Sequence, residues 1–368
     1  MKLMPVRYQN LQITYDVLQE TGIYLLSKAQ GIYCSLAQMA ADDYGIYIII
    51  PWLMSFFQLP LQQAIDCFFY GVLGLSFVTA LLFFTLLGST WISGWAFLSF
   101  LLLYREGFFR LTDVYGCVIA YNFLVMPFFL WFISKKRSIK VWSVTLFFIG
   151  IISGYAHYIR LYSSLAGLFF VIGYLLYQVR KPFMLLFLFL GISLPIAHIH
   201  FLIKKSDKFL QNNGIINTVP HGHSFWHNIY AGCGYIENYL DITYDDGSST
   251  AFVKKNYPDI QYHSALYESI VRSECIRIFL KERLLIGTIF FAKLGVMIFY
   301  ILACANIGLW FAHRYKKGFL EYLFWCGAAL QMLPGLMVVP RVSYLSGLTS
   351  WMFIYGIYSI IYAFYIKK

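Results

Sequence analysis

Charge is what this chain has least of. Charged residues fill 12% of its 368 positions and hydrophobic ones 60%. A soluble domain carries about 25% charged and about 45–50% apolar residues. One aqueous core therefore cannot hold this much apolar surface, and lipid must be its solvent. Cysteine is sparse and unpatterned. The seven residues, at 34, 67, 117, 233, 275, 304 and 326, form no CxxC and none pairs with histidines at zinc spacing. Only Cys233 and Cys275 share one polar segment, so a disulfide there would join those two. No internal repeat of fixed period and no low-complexity tract occurs. The opening MKLMPVRYQNLQITYDVLQE lacks the h-region of a cleavable signal peptide. There is also no polar domain on which a basic face could form. The net charge of +11 therefore reads as positive-inside loops and contact with membrane lipids, not as nucleic-acid binding.

Long apolar runs and aromatic residues are abundant. The 35 Phe, 30 Tyr and 9 Trp suit a chain with many membrane interfaces, where Tyr and Trp gather. Apolar spans read at 69–89, 91–104, 114–134, 141–157, 164–179, 183–203, 285–311, 319–339 and 347–366. Each must be helical, because unpaired backbone groups in hydrocarbon are too costly. The expected fold is an all-α polytopic membrane protein of about nine transmembrane helices. Segment 44–60 is apolar too, but its short length and Pro51 make it an interfacial or re-entrant helix pair.

Basic clusters orient the spans. Lys135, Lys136, Arg137 and Lys140, then Arg180 and Lys181, then Arg314, Lys316 and Lys317, and finally Lys367 and Lys368 all fall on one side by alternation. That side is expected to be the cytoplasm. Residues 1–68 then form a first outer segment, 69–203 a first set of spans, 204–284 a large outer loop with helical cap character, and 285–368 the last spans. Within the loop, 262–281 reads as an amphipathic helix on the membrane surface, with Leu266, Ile270, Ile276 and Leu280 as its apolar side.

Nearly all acids face outward, so any chemistry is expected there. Glu20 opens ETGIYLLSKAQGIY, read as an apolar-periodic helix, and Asp42 and Asp43 open DDYGIYIIIPW. A carboxylate in a cleft above the membrane can act as a general base or hold a divalent cation, while an acid at a helix start also serves as a cap. Arg160, Arg341 and Arg110 stand at outer span ends, against the positive-inside bias. Guanidinium matches phosphate in a bidentate fork, so these are candidate phosphate ligands, with ion pairing or snorkelling as the plainer role. The run PHGHSFWHNIYAGCGY is the most patterned string. Its His223, Trp226, His227 and Tyr230 suit a sugar, with stacking rings and hydrogen-bonding imidazoles, or simple loop packing. A metal site is not expected there, since no fourth ligand stands at usual spacing. The string DITYDDGSS at 241–249 lacks the DxDxDG order of a calcium loop and reads as a turn.

Three strings, ETGIYLLSKAQGIY, GYAHYIRLYSSLAGLFFVIGYLL and PRVSY, together with the large loop, resemble the GT-C superfamily of integral-membrane glycosyltransferases, near its bacterial family-39-like and lipopolysaccharide-modifying members. The order and topology of the strings carry the likeness more than any one of them. The resemblance implies a multi-pass protein of the bacterial inner membrane with a periplasmic active face. It implies inverting transfer of a sugar from a polyprenyl-phosphate donor to a glycan or lipid acceptor, with help from a divalent cation such as Mg or Mn. By position Glu20 stands where the family carries its acid, with Asp42 and Asp43 beside it. Arg160, Arg341 and Arg110 would hold donor phosphate, and Tyr344 within PRVSY would join the substrate contacts. The family also carries a transmembrane helix before its first outer loop, and none is visible before Glu20. The alternatives are an O-antigen polymerase or ligase, which also uses a large outer loop with His and Arg, a transporter of lipid-linked sugars, and a structural assembly protein. A transporter predicts polar residues and broken helices at mid-membrane.

Overall fold

The structure, a computed structural model, describes residues 5–39, 43–88, 91, 94, 114–215, 225–262, 264–315 and 317–366. Asp42, Arg110, His223, the loop 104–113 and nearly all of the expected span 91–104 lie outside the described residues.

Helix α1, Pro5–Thr21, begins on a proline, whose fixed φ suits a first helical turn. It buries Leu11, Thr14, Val17 and Leu18 along one side and ends at Gly22, which takes φ +67° as a left-handed cap. The expected helix from Glu20 onward is a correction. Leu26–Ala29 (β1) and Ile32–Ser35 (β2) pair antiparallel in a hairpin. Gln30 and Gly31 both take positive φ, 51° and 82°, the turn whose twist matches the strands it joins. Burial does not alternate here: the strand ends far from the turn are buried and the turn end is exposed. The Gln-Gly turn lets the backbone reverse, which a helix cannot do.

Helix α2, Ile46–Phe57, is short and carries Pro51 inside. A left-handed Gln58 ends it, and Pro60 caps α3, Leu61–Leu87. At about 1.5 Å per residue, the 12 residues of α2 fall short of the roughly 30 Å hydrocarbon core. The bundle continues with α4, Tyr115–Ile133; α5, Ile139–Ile159; α6, Leu165–Tyr174, extended by one wide turn to Val179; and α7, Met184–Asn212. A three-helix unit follows: α8, Phe225–Cys233; α9, Asp246–Asn256; and α10, Ala265–Lys281. The chain ends with α11, Arg283–Arg314; α12, Phe319–Met337; and α13, Ser346–Ile361.

Six helices among the described residues are long and apolar enough to cross a membrane: α3, α4, α5, α7, α11 and α13. Segment 165–179 is apolar but shorter. Helix α12 matches the expected span 319–339, but Glu321, Gln331 and Pro334 dilute its hydropathy. Six, rather than about nine, is therefore the number of candidate spans among the described residues. Their burial differs sharply. Helices α4 and α13 are 78% buried inside the protein, whereas α11 is 17% buried. The first two form the centre of the bundle, and α3, α7 and α11 present apolar side chains outward, as lipid-facing helices do. Helices α5 and α7 cross in close backbone contact. A Cβ at Gly150 would lie 2.3 Å from Leu188 O, and one at Gly191 2.1 Å from Phe147 O, so only glycine allows this crossing.

The α8–α10 unit has its own core of Tyr230, Cys233, Ile242, Val253, Tyr267, Val271, Cys275 and Ile278. Ser264 caps α10 by accepting from Tyr267 N. The inward face of α10 is Tyr267, Val271, Cys275 and Ile278. Leu266, Ile276 and Leu280, on the expected membrane-facing side, are exposed, and Ile270 packs partly against the core. The outward stripe has the same helical spacing, so periodicity alone could not decide which of two apolar faces packs. All seven cysteines are free thiols. Burial pushes Cys233 up to about 11 and raises Cys275 as well.

Candidate functional site

The central helices carry a charged cluster at one end. Asp43 lies just before α2, where Gly45 N donates to Tyr158 O at 2.8 Å and ties this turn to the end of α5. Arg160 follows α5 directly and leaves the helix in extended conformation. Its Nη1 lies 3.3 and 3.2 Å from the two oxygens of Asp43. From the other side Arg7 Nη2 donates to Asp43 Oδ2 at 2.7 Å. Asp43 is 2% and Arg160 3% exposed, so this is a buried charge cluster rather than a surface pair.

Aromatic hydroxyls complete it. Arg160 Nη2 donates to Tyr115 Oη at 3.0 Å, and Nε to Tyr162 Oη at 3.4 Å. The guanidinium also sits over the Tyr115 ring, 4.5 Å from its centroid, a favourable cation–π position. Tyr344, in the turn before α13, meets the Tyr115 ring edge-on at 5.4 Å. Tyr162 takes φ +66°, unusual for a bulky residue and commonest where surrounding structure fixes a functional geometry. Burial raises its phenol above the ordinary value, and the neighbouring Arg160 works against that rise. Removing one member of a buried ion pair costs about 3–5 kcal/mol, because its partner stays desolvated. The cluster is thus rigid unless something replaces a member.

The sequence-predicted residues divide as follows. Asp43, Arg160 and Tyr344 come together. Glu20 does not join them. It sits at the far end of α1 from Arg7, roughly 20 Å along the helix at about 1.5 Å per residue. There it accepts from Lys28 Nζ at 2.5 Å and Tyr33 Oη at 2.7 Å, bracing the hairpin. Those two bonds hold its carboxyl below the usual range. Arg341 is exposed and stacks its guanidinium 4.4 Å over the Tyr244 ring, on the α8–α10 unit.

His227 and Tyr230 belong to the core of that unit. His227 Nδ1 lies 2.9 Å from Tyr267 Oη and 2.6 Å from Ser249 Oγ, and Tyr267 Oη donates to Ser249 Oγ at 3.0 Å. The three groups close a buried triangle. Tyr230 stacks on Phe252 at 5.5 Å. Trp226 lies half-buried beneath Arg272, whose guanidinium is 5.8 Å from its ring, and its backbone N donates to Glu268 at 3.0 Å. The expected sugar contacts at His227 and Tyr230 are therefore packing positions here: an alternating aromatic-polar string fits a small helical core as well as a ligand.

Sequence reasoning passed over Arg7, Tyr115 and Tyr162. Arg7 carried a faint signal, as a cation in the same segment as the acids. The tyrosines carried none among 30. As for a metal, no three His, Cys, Asp or Glu side chains stand together among the described residues, and Asp43 already faces two guanidiniums, which disfavour a further cation beside it.

Compared with known protein families, curated proteins and solved structures, the chain matches no family model, no curated protein and no solved structure.

Proposed function

We propose that this protein is an inverting glycosyltransferase of GT-C type that moves a sugar from a polyprenyl-phosphate donor to a glycan or lipid acceptor outside the bacterial inner membrane. The reading rests on one observation: Asp43 and Arg160, 117 residues apart, meet in a buried cluster with Arg7 at the mouth of the two central helices. That cluster holds both groups such a reaction requires, a carboxylate to take a proton and guanidiniums to hold a phosphate. In the closed state the carboxylate and the guanidiniums satisfy each other. Donor phosphate arriving at Arg160 would replace Asp43 as its partner and free a carboxylate oxygen. Asp43 then takes the proton of the acceptor hydroxyl, and that oxygen attacks the anomeric carbon. The bond from the anomeric carbon to phosphate breaks, and polyprenyl phosphate leaves on Arg160 and Arg7. Donor binding and base activation are one event in this scheme, which limits hydrolysis. No step runs through a metal, since among the described residues Asp43 faces two guanidiniums, which disfavour a further cation beside it. The α8–α10 unit acts as the outer cap, joined to the turn before α13 through Arg341 and Tyr244.

A second reading, a transporter of a lipid-linked sugar, has its own support in buried polar groups and a broken helix. Asn122 Oδ1, Gln331 Nε2 and Ser346 Oγ are buried without hydrogen-bond partners, and α11 is broken at Asn306, with φ 35° and ψ −121°. Polar groups and broken helices inside the membrane mark substrate pathways.

Asp43→Asn separates the two. It keeps shape and acceptor capacity while removing the base. Proteoliposomes loaded with a radiolabelled polyprenyl-phosphate sugar should release free polyprenyl phosphate with the natural protein and, with the variant, at least about a hundredfold more slowly, the usual worth of a general base. Full turnover by Asp43→Asn would refute the base assignment. Sugar lipid crossing the bilayer without release would favour the transporter.

A further inference from the structure

At the opposite, basic end of the bundle, α11, α12 and α13 line an open cavity of about 610 Å³ between Leu309, Ala312, His313, Glu321, Trp325 and Tyr355, among others. Its volume falls in the roughly 300–1,000 Å³ range of small-molecule sites. The break at Asn306 resets the last two turns of α11, which form one wall.

The charge inside the cavity is already balanced. Lys317 Nζ lies 2.8 Å from Glu321 Oε2, and it donates to Ser359 Oγ at 3.0 Å. Trp325 Nε1 donates to Glu321 Oε1 at 2.9 Å, and the Tyr355 hydroxyl donates to the same oxygen. Lys317 is 5% exposed. A cationic guest would compete with this buried ammonium, which also sits 4.6 Å over the Tyr355 ring. The remaining walls are mainly apolar. His313 lines the cavity mouth and is exposed. Arg314, next to it in α11, is also exposed, with its guanidinium 5.7 Å from the outward-facing Trp310 ring.

Depth identifies the occupant. The stretch of α11 before its break at Asn306, 283–305, extends roughly 35 Å at about 1.5 Å per residue, slightly more than the roughly 30 Å hydrocarbon core. The last two turns of α11 therefore stand at headgroup level, where an apolar recess opens beside acyl chains and the basic residues His313 and Arg314 meet lipid phosphate. Water there would wet apolar walls; an acyl chain covers them. We propose that this cavity is a binding site for one phospholipid with an anionic headgroup, its chain against Leu309, Ala312 and Tyr355 and its headgroup at His313 and Arg314.

Native mass spectrometry of the full-length protein in detergent tests this, with dioleoylphosphatidylglycerol, dioleoylphosphatidylcholine and inorganic phosphate as separate probes. One phosphatidylglycerol should bind about fivefold more tightly than phosphatidylcholine, the worth of roughly one basic side chain at an anionic lipid surface. The preference should vanish in the His313→Gln, Arg314→Gln double variant. Leu309→Trp, which fills the cavity, should weaken both lipids at least about tenfold with an unchanged melting temperature; Leu309→Phe gives the same reading should the tryptophan variant not fold. Equal binding of the two lipids, natural affinity in the filled variant, or displacement of the lipid by inorganic phosphate would each overturn the proposal.

Discussion

Hydropathy and contact geometry give opposite answers for Lys293→Met. Lys293 lies in α11 and is 3% exposed. Its ammonium donates to Gly232 O at 2.9 Å, Leu336 O at 3.0 Å and Val338 O at 2.8 Å. Gly232 ends α8, and Leu336 and Val338 end α12, so one cation gathers two helix C-termini, where the macrodipole favours it. It pins the three-helix unit to the bundle. A hydropathy scale alone rewards the methionine by about 3 kcal/mol, the cost of a lysine at mid-span. Against this stand three lost charge-assisted hydrogen bonds at about 2 kcal/mol each, roughly 6 kcal/mol together. The balance is a loosening of about 3 kcal/mol, or about a hundredfold in the open population, since 1.4 kcal/mol is a factor of ten. Limited trypsin digestion reads that population when opening is fast relative to cleavage. Cleavage at Lys254, Lys255 and Arg277, all on the unit, should accelerate about a hundredfold while cleavage elsewhere holds. Gly232→Ala should loosen the same junction from the other side, since a Cβ there would sit 2.1 Å from Met337 O. Digestion of Lys293→Met at or below the natural rate would refute the argument and show that the carbonyls find other partners.

Two further outcomes follow from the geometry. Glu20 has its carboxyl held below the ordinary 4.5, first by Lys28 and then by Tyr33. A lowered folded-state value stabilises above the unfolded value and loses that effect as pH falls through the folded one. The melting difference between the natural protein and Glu20→Gln should therefore be largest above pH 4.5 and shrink below it; loss of sugar transfer in this variant with the fold intact would contradict the separation of Glu20 from the Asp43 cluster. At mid-bundle, Gln331→Leu removes a buried donor without a partner, worth about 1–3 kcal/mol in desolvation, at little change in volume, so the melting temperature should rise. A fall of several degrees would show that the amide is satisfied in the membrane.

How much of this was legible follows from which forces act locally. The helical spans were, because hydrocarbon forces each apolar run to satisfy its own backbone; α3, α4, α5, α7, α11 and α13 all lie close to the expected runs. The hairpin at 26–35 was open to reading but went unread. Its Gln-Gly turn was present in ETGIYLLSKAQGIY, but an apolar count does not separate period two from period 3.6 over so short a stretch. The placement of Asp43 and Arg160 near one end of the bundle also followed from the alternation of spans.

What the sequence determined by itself was therefore a class, a solvent and an ordering of helices. These depend on composition and on covalent neighbours, and both are written along the chain. The tertiary structure alone decided that Arg7 reaches Asp43, that Glu20 stays roughly 20 Å away at the other end of a rigid helix, and that His227 closes a packing triangle with Ser249 and Tyr267. It also decided that Lys293, an anomaly in a hydropathy plot, is the pin between two helix ends. Each of these depends on which faces of which helices meet. Several faces of this chain are apolar enough to be buried, so the choice among them falls to the packing of the whole bundle, where backbone approaches that admit no Cβ at Gly150 or Gly232 outweigh any local preference.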